Sequence, residues 1–389
     1  MSEVRVNNLS NENNTGGPTI SGITTYSGRH FFVPPQGDTS SRPEDCEPGS
    51  LRFNTDSAHL EYFRGDTIGW TEIEAELATD ILGGGSGSNE GLGVRALLAG
   101  GDTPSYLSHI DFITMSTMGD AADFGNLSTA RAGSACISSR TTIAWCGGYA
   151  PGISNSIDTT IFSSTGNATD TADLTTSRQG AAKGPGNNIR GLIAGGGTPS
   201  RVNVIDYYTF VAAANAVDFG DLSDICSSGS GCSSSTRTVF NFGYVAPARV
   251  NTIEFVTTST TGNATDFGDL TDVRNGTGAL SNSTRGVFGG GENPNKTNII
   301  DFVTIASTGN ATDFGDMNYV RANAAGDGAS SATRGIFSGG GSPASGNDNN
   351  RMKRIDKIEI ATTGNALDFG DMTDHTSNHG VGSNGHGGL

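Results

Sequence analysis

Basic residues are scarce in this chain. Against 40 Asp and Glu there are 23 Lys and Arg, and the 389 residues carry a formal net charge of −17. A surface of that sign repels phosphate backbones, so nucleic acid is not an expected partner. Long apolar runs are missing too: nowhere do 18 apolar residues follow one another, and the opening MSEVRVNNLSNENNTGG lacks the apolar centre of a secretion signal. The expectation is a chain made and folded in a cytoplasm, without membrane insertion. Cysteine is rare and unpaired in pattern. Cys46, Cys136, Cys146, Cys226 and Cys232 are odd in number, form no CxxC and have no paired histidines. That argues against a zinc site or a disulfide framework and for free thiols. A long helical period is absent as well.

Glycine is what the chain has in excess. Its 58 glycines are roughly twice average usage, and with Ser, Thr, Asn and Asp between short apolar runs they argue for many tight turns and all-β structure. Much of this composition falls into a repeat. From Thr284 to Met317 the chain reads TRGVFGGGENPNKTNIIDFVTIASTGNATDFGDM, and further copies begin near Val94, Arg140, Ile189, Thr236 and Thr333. The step of about 48 residues is in the range of propellers and solenoids. One spacing never changes: the acid of an Ile-acid pair precedes the first acid of the Asp-Phe-Gly-Asp run by twelve residues. The pairs are Asp111 and Asp123, Asp158 and Asp170, Asp206 and Asp218, Glu254 and Asp266, Asp301 and Asp313, Asp356 and Asp368. The distance from glycine cluster to Ile-acid pair varies, as expected of a loop leading into a packed strand.

Within the fifth unit, Gly286 to Phe288 predicts a short apolar strand and Ile299 to Ile305 a second, rich in β-branched residues. Thr308-Gly309-Asn310 predicts a turn, and Ala311 to Met317 a closing strand ending in an Asp313-Phe314-Gly315-Asp316 bend. The small residues of Ala322 to Ser331 suit a crowded central position. Four strands per unit at this period point to propeller blades. An Arg (Arg131, Arg178, Arg274, Arg321), a small-residue strand, an apolar strand ending in a glycine pair, a further strand and an aromatic closing strand: this order resembles the kelch repeat. Phe124, Phe219, Phe267, Phe314 and Phe369 stand where kelch blades carry Trp, Thr171 stands there in the second unit, and Cys226 and Thr376 replace the Arg. The expected fold is an all-β, six-bladed kelch-like β-propeller of four-stranded antiparallel blades over residues 94–389. The tail from His379 to Leu389 should supply an innermost strand closing the first blade and the start of the next. Seven blades is the alternative if residues 50–80 form one.

Ahead of the repeats, residues 1–19 read as a flexible arm, 20–80 as a β-rich attachment module and 81–93 as a Gly-rich linker. In the module, Ile20 to Pro35 predicts one extended strand and 37–49 a loop. Leu51 and Phe53, then Leu60 and Tyr62, then Ile68, Trp70 and Ile73 predict three strands. Three short strands bury little, so the module should pack on a partner or on the repeats. The stretch SRPEDCEPGSLRFNTDSAHLEYFRGDTIGWTEIEA resembles a short module of tailed-bacteriophage structural proteins, and the TGNATDFGDL units joined to it are similar to virion structural proteins of marine cyanobacterial phages. That resemblance places the chain in a particle, and the candidates for particle attachment in the module are Phe31, Phe32, Phe53, Tyr62 and Trp70.

Candidate chemistry is thin. The Asp-Phe-Gly-Asp runs each offer two carboxylates, whereas Ca²⁺ takes six to eight oxygens, so Asx-turns within the backbone are the expected role. The carboxylate of each Ile-acid pair is expected to anchor a neighbouring blade or loop. Gly195-Gly196-Gly197 and Gly289-Gly290-Gly291 lack the helix and the Lys-Ser/Thr pair of a phosphate cradle. Asn167, Asn263 and Asn310 head Asn-Ala-Thr sequons but fall in the predicted turn. His375, His379 and His386 lie near Asp371 and Asp374 in a Gly-rich tail, a poor frame for a metal, and no nucleophile elbow supports Ser-His-Asp chemistry. No cofactor is implied. The variable loops after the glycine clusters are where a partner would bind, with Tyr106, Arg201, Arg249, Arg351, Lys353 and Arg354 as candidates.

The expectation is therefore a non-enzymatic virion component, oligomeric within the particle and in contact with other phage structural proteins, whose propeller is displayed toward a host-surface glycan or protein. A carbohydrate-binding tail-fibre adhesin is the first alternative. A propeller hydrolase acting on surface polysaccharide is the second.

Overall fold

The repeated apolar runs fold into sheets, one per unit. The computed structural model describes residues 34–43, 45–56, 59–66, 69–73, 94–323, 329–343 and 350–389, which divide into two compact units, one within Met1–Ala75 and one within Glu76–Leu389. Strand dominates both, and no α-helix occurs among the described residues. The arm expected at 1–19, the linker at 81–93 and nearly all of the strand at 20–35, with Phe31 and Phe32, lie outside the described residues.

In the N-terminal unit Leu51–Asn54, His59–Phe63 and Trp70–Ile73 form an antiparallel meander, close to expectation. The predicted loop at 37–49 is more ordered than expected: Gln36–Gly37 adds a parallel edge strand and Thr39–Ser41 a 3-10 turn. The two faces are unusual. Arg52, Asn54 and Glu61 are buried, while Leu51 on the opposite face is 40% exposed and Phe53, Leu60 and Tyr62 are half-buried. Glu61 is held by Arg42 at 2.6 Å and approached by Arg52 at 3.5 Å. Burial would raise its carboxyl, but the hydrogen bonds from Arg42 and Asn54 and the charges of both arginines hold it below the usual range.

Among the described residues the repeats form six main sheets and two two-stranded ribbons, Asp102–Thr103 with Ser105–Tyr106 and Tyr244–Val245 with Ala248–Arg249. Sheet five shows the plan: Gly278–Ser281, Arg285–Gly289, Thr297–Thr304 and Thr312–Arg321, hydrogen-bonded in that order and antiparallel throughout. Gly278–Ser281 is buried along its whole length, whereas Thr312–Arg321 is mostly exposed apart from Phe314, Met317 and Arg321. A run buried on both faces needs no alternation, which is why the second strand reads Gly-Val-Phe-Gly. Sheet one recruits Gly380–Ser383 as its first strand, pairing Gly380 with Ala99 and Ser383 with Ala96. Sheet six has three strands among the described residues, Arg334–Ser338, Met352–Glu359 and Leu367–Thr376, preceded by a bridge from Ser330 to Gly335.

The Asp-Phe-Gly-Asp run is not a turn. In sheet five Asp313 faces Asp301 and Gly315 faces Ile300, with the register shifting between them, so the run is a bulged strand. The reason is steric. Gly315 adopts φ +142°, and a Cβ there would lie 2.6 Å from the backbone of Gly364 in the next unit. The phenylalanines that stand in for Trp are each at most 3% exposed. Phe124, Phe219, Phe267 and Phe314 meet Phe112, Tyr207, Phe255 and Phe302 edge-on at 5.9–6.1 Å.

Consecutive sheets grip each other by a repeated set of contacts. Each sandwiches an apolar cluster with the next, and the sixth such cluster joins sheets six and one through Val94, Ile113, Ile336, Phe369 and Val381. Each Gly-Asn turn leans on the outer strand of the preceding unit, as does the Gly119-Asp120 turn of the first unit: Gly309 N–H donates to Phe267 O at 2.7 Å, and Gly119 N–H to Phe369 O at 3.1 Å. The sequon asparagines serve here, Asn310 Oδ1 accepting from Asp269 N–H at 3.1 Å, Asn263 from Asp221 and Asn167 from Asn126. The invariant acids reach back as expected. Asp158 accepts from Ser128, Asp206 from Thr175, Glu254 from Ser223, Asp301 from Thr271, Asp356 from Asn318 and Asp111 from Thr373.

Six residues with φ between 55° and 67°, one from each unit, close a cycle of backbone hydrogen bonds. Gly180 N–H donates to Gly133, Ser228 to Gly180, Gly276 to Ser228, Asn323 to Gly276, Asn378 to Asn323 and Gly133 to Asn378, at 2.7–3.3 Å. Beyond Ser383 the tail does not begin another strand, contrary to expectation. It runs in turns among Ser138, Ser233 and Ser281, and residues 384–388 are buried.

Candidate functional site

Glycine pairs end the second strand of the units and set the loops that follow. Gly147 and Gly148 adopt φ +62° and +107°, and side chains there would strike the carbonyls of Arg178 and Ala132 at 2.4 and 2.9 Å. The sharp turn throws each loop over the start of the next unit. Between the loops of the first three units lies an open depression of about 760 Å³, lined by Asp102, Tyr106, Tyr149, Gln179, Arg201 and Asn378 among others. Its size is that of a small-molecule site.

Two of the six partner-contact candidates line it. Tyr106 is 40% exposed and meets Tyr149 edge-on with centroids 5.6 Å apart. Arg201 stacks over Tyr244 at 4.3 Å, and its Nε donates to Ser227 Oγ at 2.7 Å. Asp102 forms an ion pair with Arg351 and accepts from Ser377 Oγ at 3.1 Å and Asn378 Nδ2 at 3.2 Å. The Asp102–Arg351 pair thus ties the sixth unit to the first. The remaining candidates lie elsewhere. Arg249 donates through Nε to Asn275 at 2.7 Å and reaches Glu292 at 3.4 Å. Lys353 pairs with Asp371 at 3.0 Å, and Arg354 stacks on Tyr319 at 4.5 Å. These last two line a separate depression of about 300 Å³ with Asp120, Asp368, Asp371 and His375.

The basic patch read from Arg351 to Arg354 is therefore divided. Each of its three cations has its own acidic or aromatic neighbour, so the stretch does not present three free charges to one ligand. Of the attachment candidates, Phe53 and Tyr62 share the half-buried apolar face of the N-terminal meander. Trp70 is on the other face, 5.5 Å from Phe63, with its Nε1 donating to Pro43 O at 3.3 Å.

The tail histidines are dispersed. His386 Nε2–H donates to Ser138 O at 2.9 Å while its Nδ1 accepts from Gly388 N–H at 3.1 Å, which fixes a neutral tautomer. Burial pushes its pKa down to about 4, and that of His379, beside Ser338 Oγ, to about 3. His375 lies with Asp371 in the smaller depression. Burial also pushes the Cys146 and Cys226 thiols up to about 12, far from thiolate reactivity at neutral pH. Among the described residues no three His, Cys, Asp or Glu side chains are grouped to hold a metal ion.

Tyr149, Gln179, Asp102 and Asn378 escaped the sequence reading. A signal existed for Asp102 and Tyr149, which follow glycine pairs at the position of the loops already singled out. Nothing local marks Asn378, brought there from the sixth unit. In comparison with known proteins, no family model matches this chain and no curated protein matches it.

Proposed function

We propose that the chain is a non-enzymatic structural component of a bacteriophage virion, with its six sheets arranged as the blades of a closed kelch-like β-propeller and its N-terminal unit attached to the particle. The observation that carries the propeller reading is the cycle of six backbone hydrogen bonds from Gly133 to Asn378, one residue from each unit. The sixth apolar cluster and the pairing of Gly380–Ser383 with Arg95–Ala99 agree with it. The virion reading rests on the resemblance of the N-terminal module and of the repeats. The exposed Leu51 and the half-buried Phe53, Leu60 and Tyr62 suit a module that packs on a neighbouring subunit. Display of many copies on one particle would raise avidity without strong individual contacts.

Mass spectrometry of gradient-purified particles, followed by immunogold labelling with an antibody to the repeats, tests this. The chain should copurify at fixed stoichiometry and label one position on every particle. Its absence from purified particles would end the virion reading.

The adhesin reading is favoured by one specific observation, the depression between the first three loops with Tyr106 and Tyr149 at its edge. Aromatic faces beside amides and hydroxyls suit a saccharide ring. Binding on a glycan array, lost in Tyr106→Ala and unchanged in Lys353→Ala, would establish it.

A further inference from the structure

We propose that the junction between sheets six and one binds a potassium-sized monovalent cation in the slot that an arginine side chain fills at other junctions. At four junctions a buried arginine, Arg131, Arg178, Arg274 or Arg321, meets the acid of the following unit, Asp158, Asp206, Asp301 or Asp356. Where the slot is best filled, the same guanidinium also serves two carbonyls: Arg178 Nη1 donates to Gly195 O and Val204 O at 3.2 and 2.9 Å, and Arg321 Nη1 to Gly339 O and Arg354 O at 3.1 and 3.3 Å.

Two junctions lack the arginine. Between sheets three and four the position is Cys226, which packs in an apolar cluster with Phe240, Phe242 and Val256 of sheet four, and the facing acid is the longer Glu254. Between sheets six and one the position is Thr376, and the acid remains the short Asp111. Asp111 is 6% exposed and keeps its bonds to Thr373, at 2.9 Å from the backbone N–H and 2.8 Å from Oγ1, yet it has no guanidinium. Gly100 O stands where Gly195 O and Gly339 O stand, and the Thr376 hydroxyl reaches it only at 3.4 Å.

A cavity of about 10 Å³ remains, lined by Gly100, Asp111, Thr376 and His379, with His109 and Asp374 also on its wall. That is room for about one water-sized sphere, right for K⁺ or NH₄⁺ while Thr376 holds the place of the arginine. A second observation points the same way. His379 is 1% exposed and its Nδ1 has no hydrogen-bond partner, so a buried polar atom of this lining residue is left unmatched. A carboxylate buried to this degree is stabilised by a positive charge far more than by a water.

Thermal unfolding of the full chain at pH 8, where His109 competes least, tests the proposal at constant ionic strength in potassium, ammonium, sodium or choline chloride. The melting temperature should rise by a few degrees in K⁺ and NH₄⁺ over choline, saturably, and the gain should vanish in Thr376→Arg and in Asp111→Asn. Equal melting temperatures in all four salts would mean that water alone fills the slot, and a gain that survives both variants would place the ion elsewhere; either overturns the proposal. Crystals soaked in thallium(I) read the site without any variant. Anomalous density beside Asp111 and Gly100 supports it, and its absence at full soak overturns it.

Discussion

Sheets two and three meet across Arg178 and Asp206, with both side chains at most 1% exposed; sheets three and four meet across Cys226 and Glu254 with no arginine between them. Both junctions nevertheless have an apolar sandwich, a backbone bond from the following unit to the outer strand (Ala216 N–H to Asp173 O and Ala264 N–H to Asp221 O, both 2.8 Å) and the capture of a Ser or Thr by an acid. The ion pair is therefore an addition to a junction that is already complete. Burying two charges costs nearly what their attraction returns. Four buried pairs fit a role in fixing which sheet faces which, and two junctions manage without that restraint.

Removing one partner of a pair makes such a junction worse than one that never had an arginine. Arg274→Met leaves Asp301 buried without its cation and should destabilise the repeat domain by about 3–5 kcal/mol, measured by denaturant unfolding. Removing both, in Arg274→Met with Asp301→Leu, should recover much of the loss and yield a junction resembling the arginine-free ones. A smaller loss is expected from Gly268→Ala. A Cβ there lies 2.6 Å from the backbone of Gly309, at φ +143°, and the strain should cost about 1–3 kcal/mol. The second unit sharpens the point, since Ala172 holds the equivalent position opposite the Ala213-Ala214 turn, which differs from the Thr-Gly turns elsewhere.

Asn310→Ala removes one acceptor from the Asp269 N–H and should cost about 0.5–1.5 kcal/mol. The smallest effect concerns pH at the six-to-one junction, where His109 bridges Asp374 at 3.0 Å and Asp123 at 3.2 Å. The hydrogen bond to Asp374, opposed by burial and aided by the charges of Asp111, Asp374 and Asp123, raises its pKa above the ordinary 6.5. A base with a raised folded pKa contributes stability that is complete below 6.5 and lost as pH rises through the raised value. His109 is partly exposed, so the loss should stay below about 1 kcal/mol. It should appear as a slightly lower melting temperature at pH 8 than at pH 6, absent in His109→Gln. Asp111, whose carboxyl burial raises despite the Thr373 hydrogen bonds, shifts stability in the same direction at lower pH.

Much of the architecture was legible because it repeats. A constant twelve-residue spacing between two acids forces a constant strand pairing, and Asp301 does face Asp313 in sheet five. The anchoring role of the acids was legible for the same reason. The bend assigned to the Asp-Phe-Gly-Asp run was not, because the glycine there answers to the neighbouring unit, and local turn chemistry is blind to that. The tail misled for a related reason. His386 sits on the carbonyl of Ser138, a residue 248 positions away, so a Gly-rich, His-bearing terminus that looks loose by composition is enclosed by long-range packing. The depression was partly legible: Tyr106 and Arg201 were found by loop position, while Asn378 needed the sixth unit to return to the first.

That return has a consequence for the order in which the molecule is made. Arg95–Ala99 leaves the ribosome early, but its partner strand Gly380–Ser383 comes almost 300 residues later. At about 5–20 residues per second, the unit synthesised first waits many seconds with an unpaired strand edge, the kind of edge that invites pairing with another chain. The opening repeat is therefore the part of the chain longest open to pairing with another copy before Gly380–Ser383 arrives.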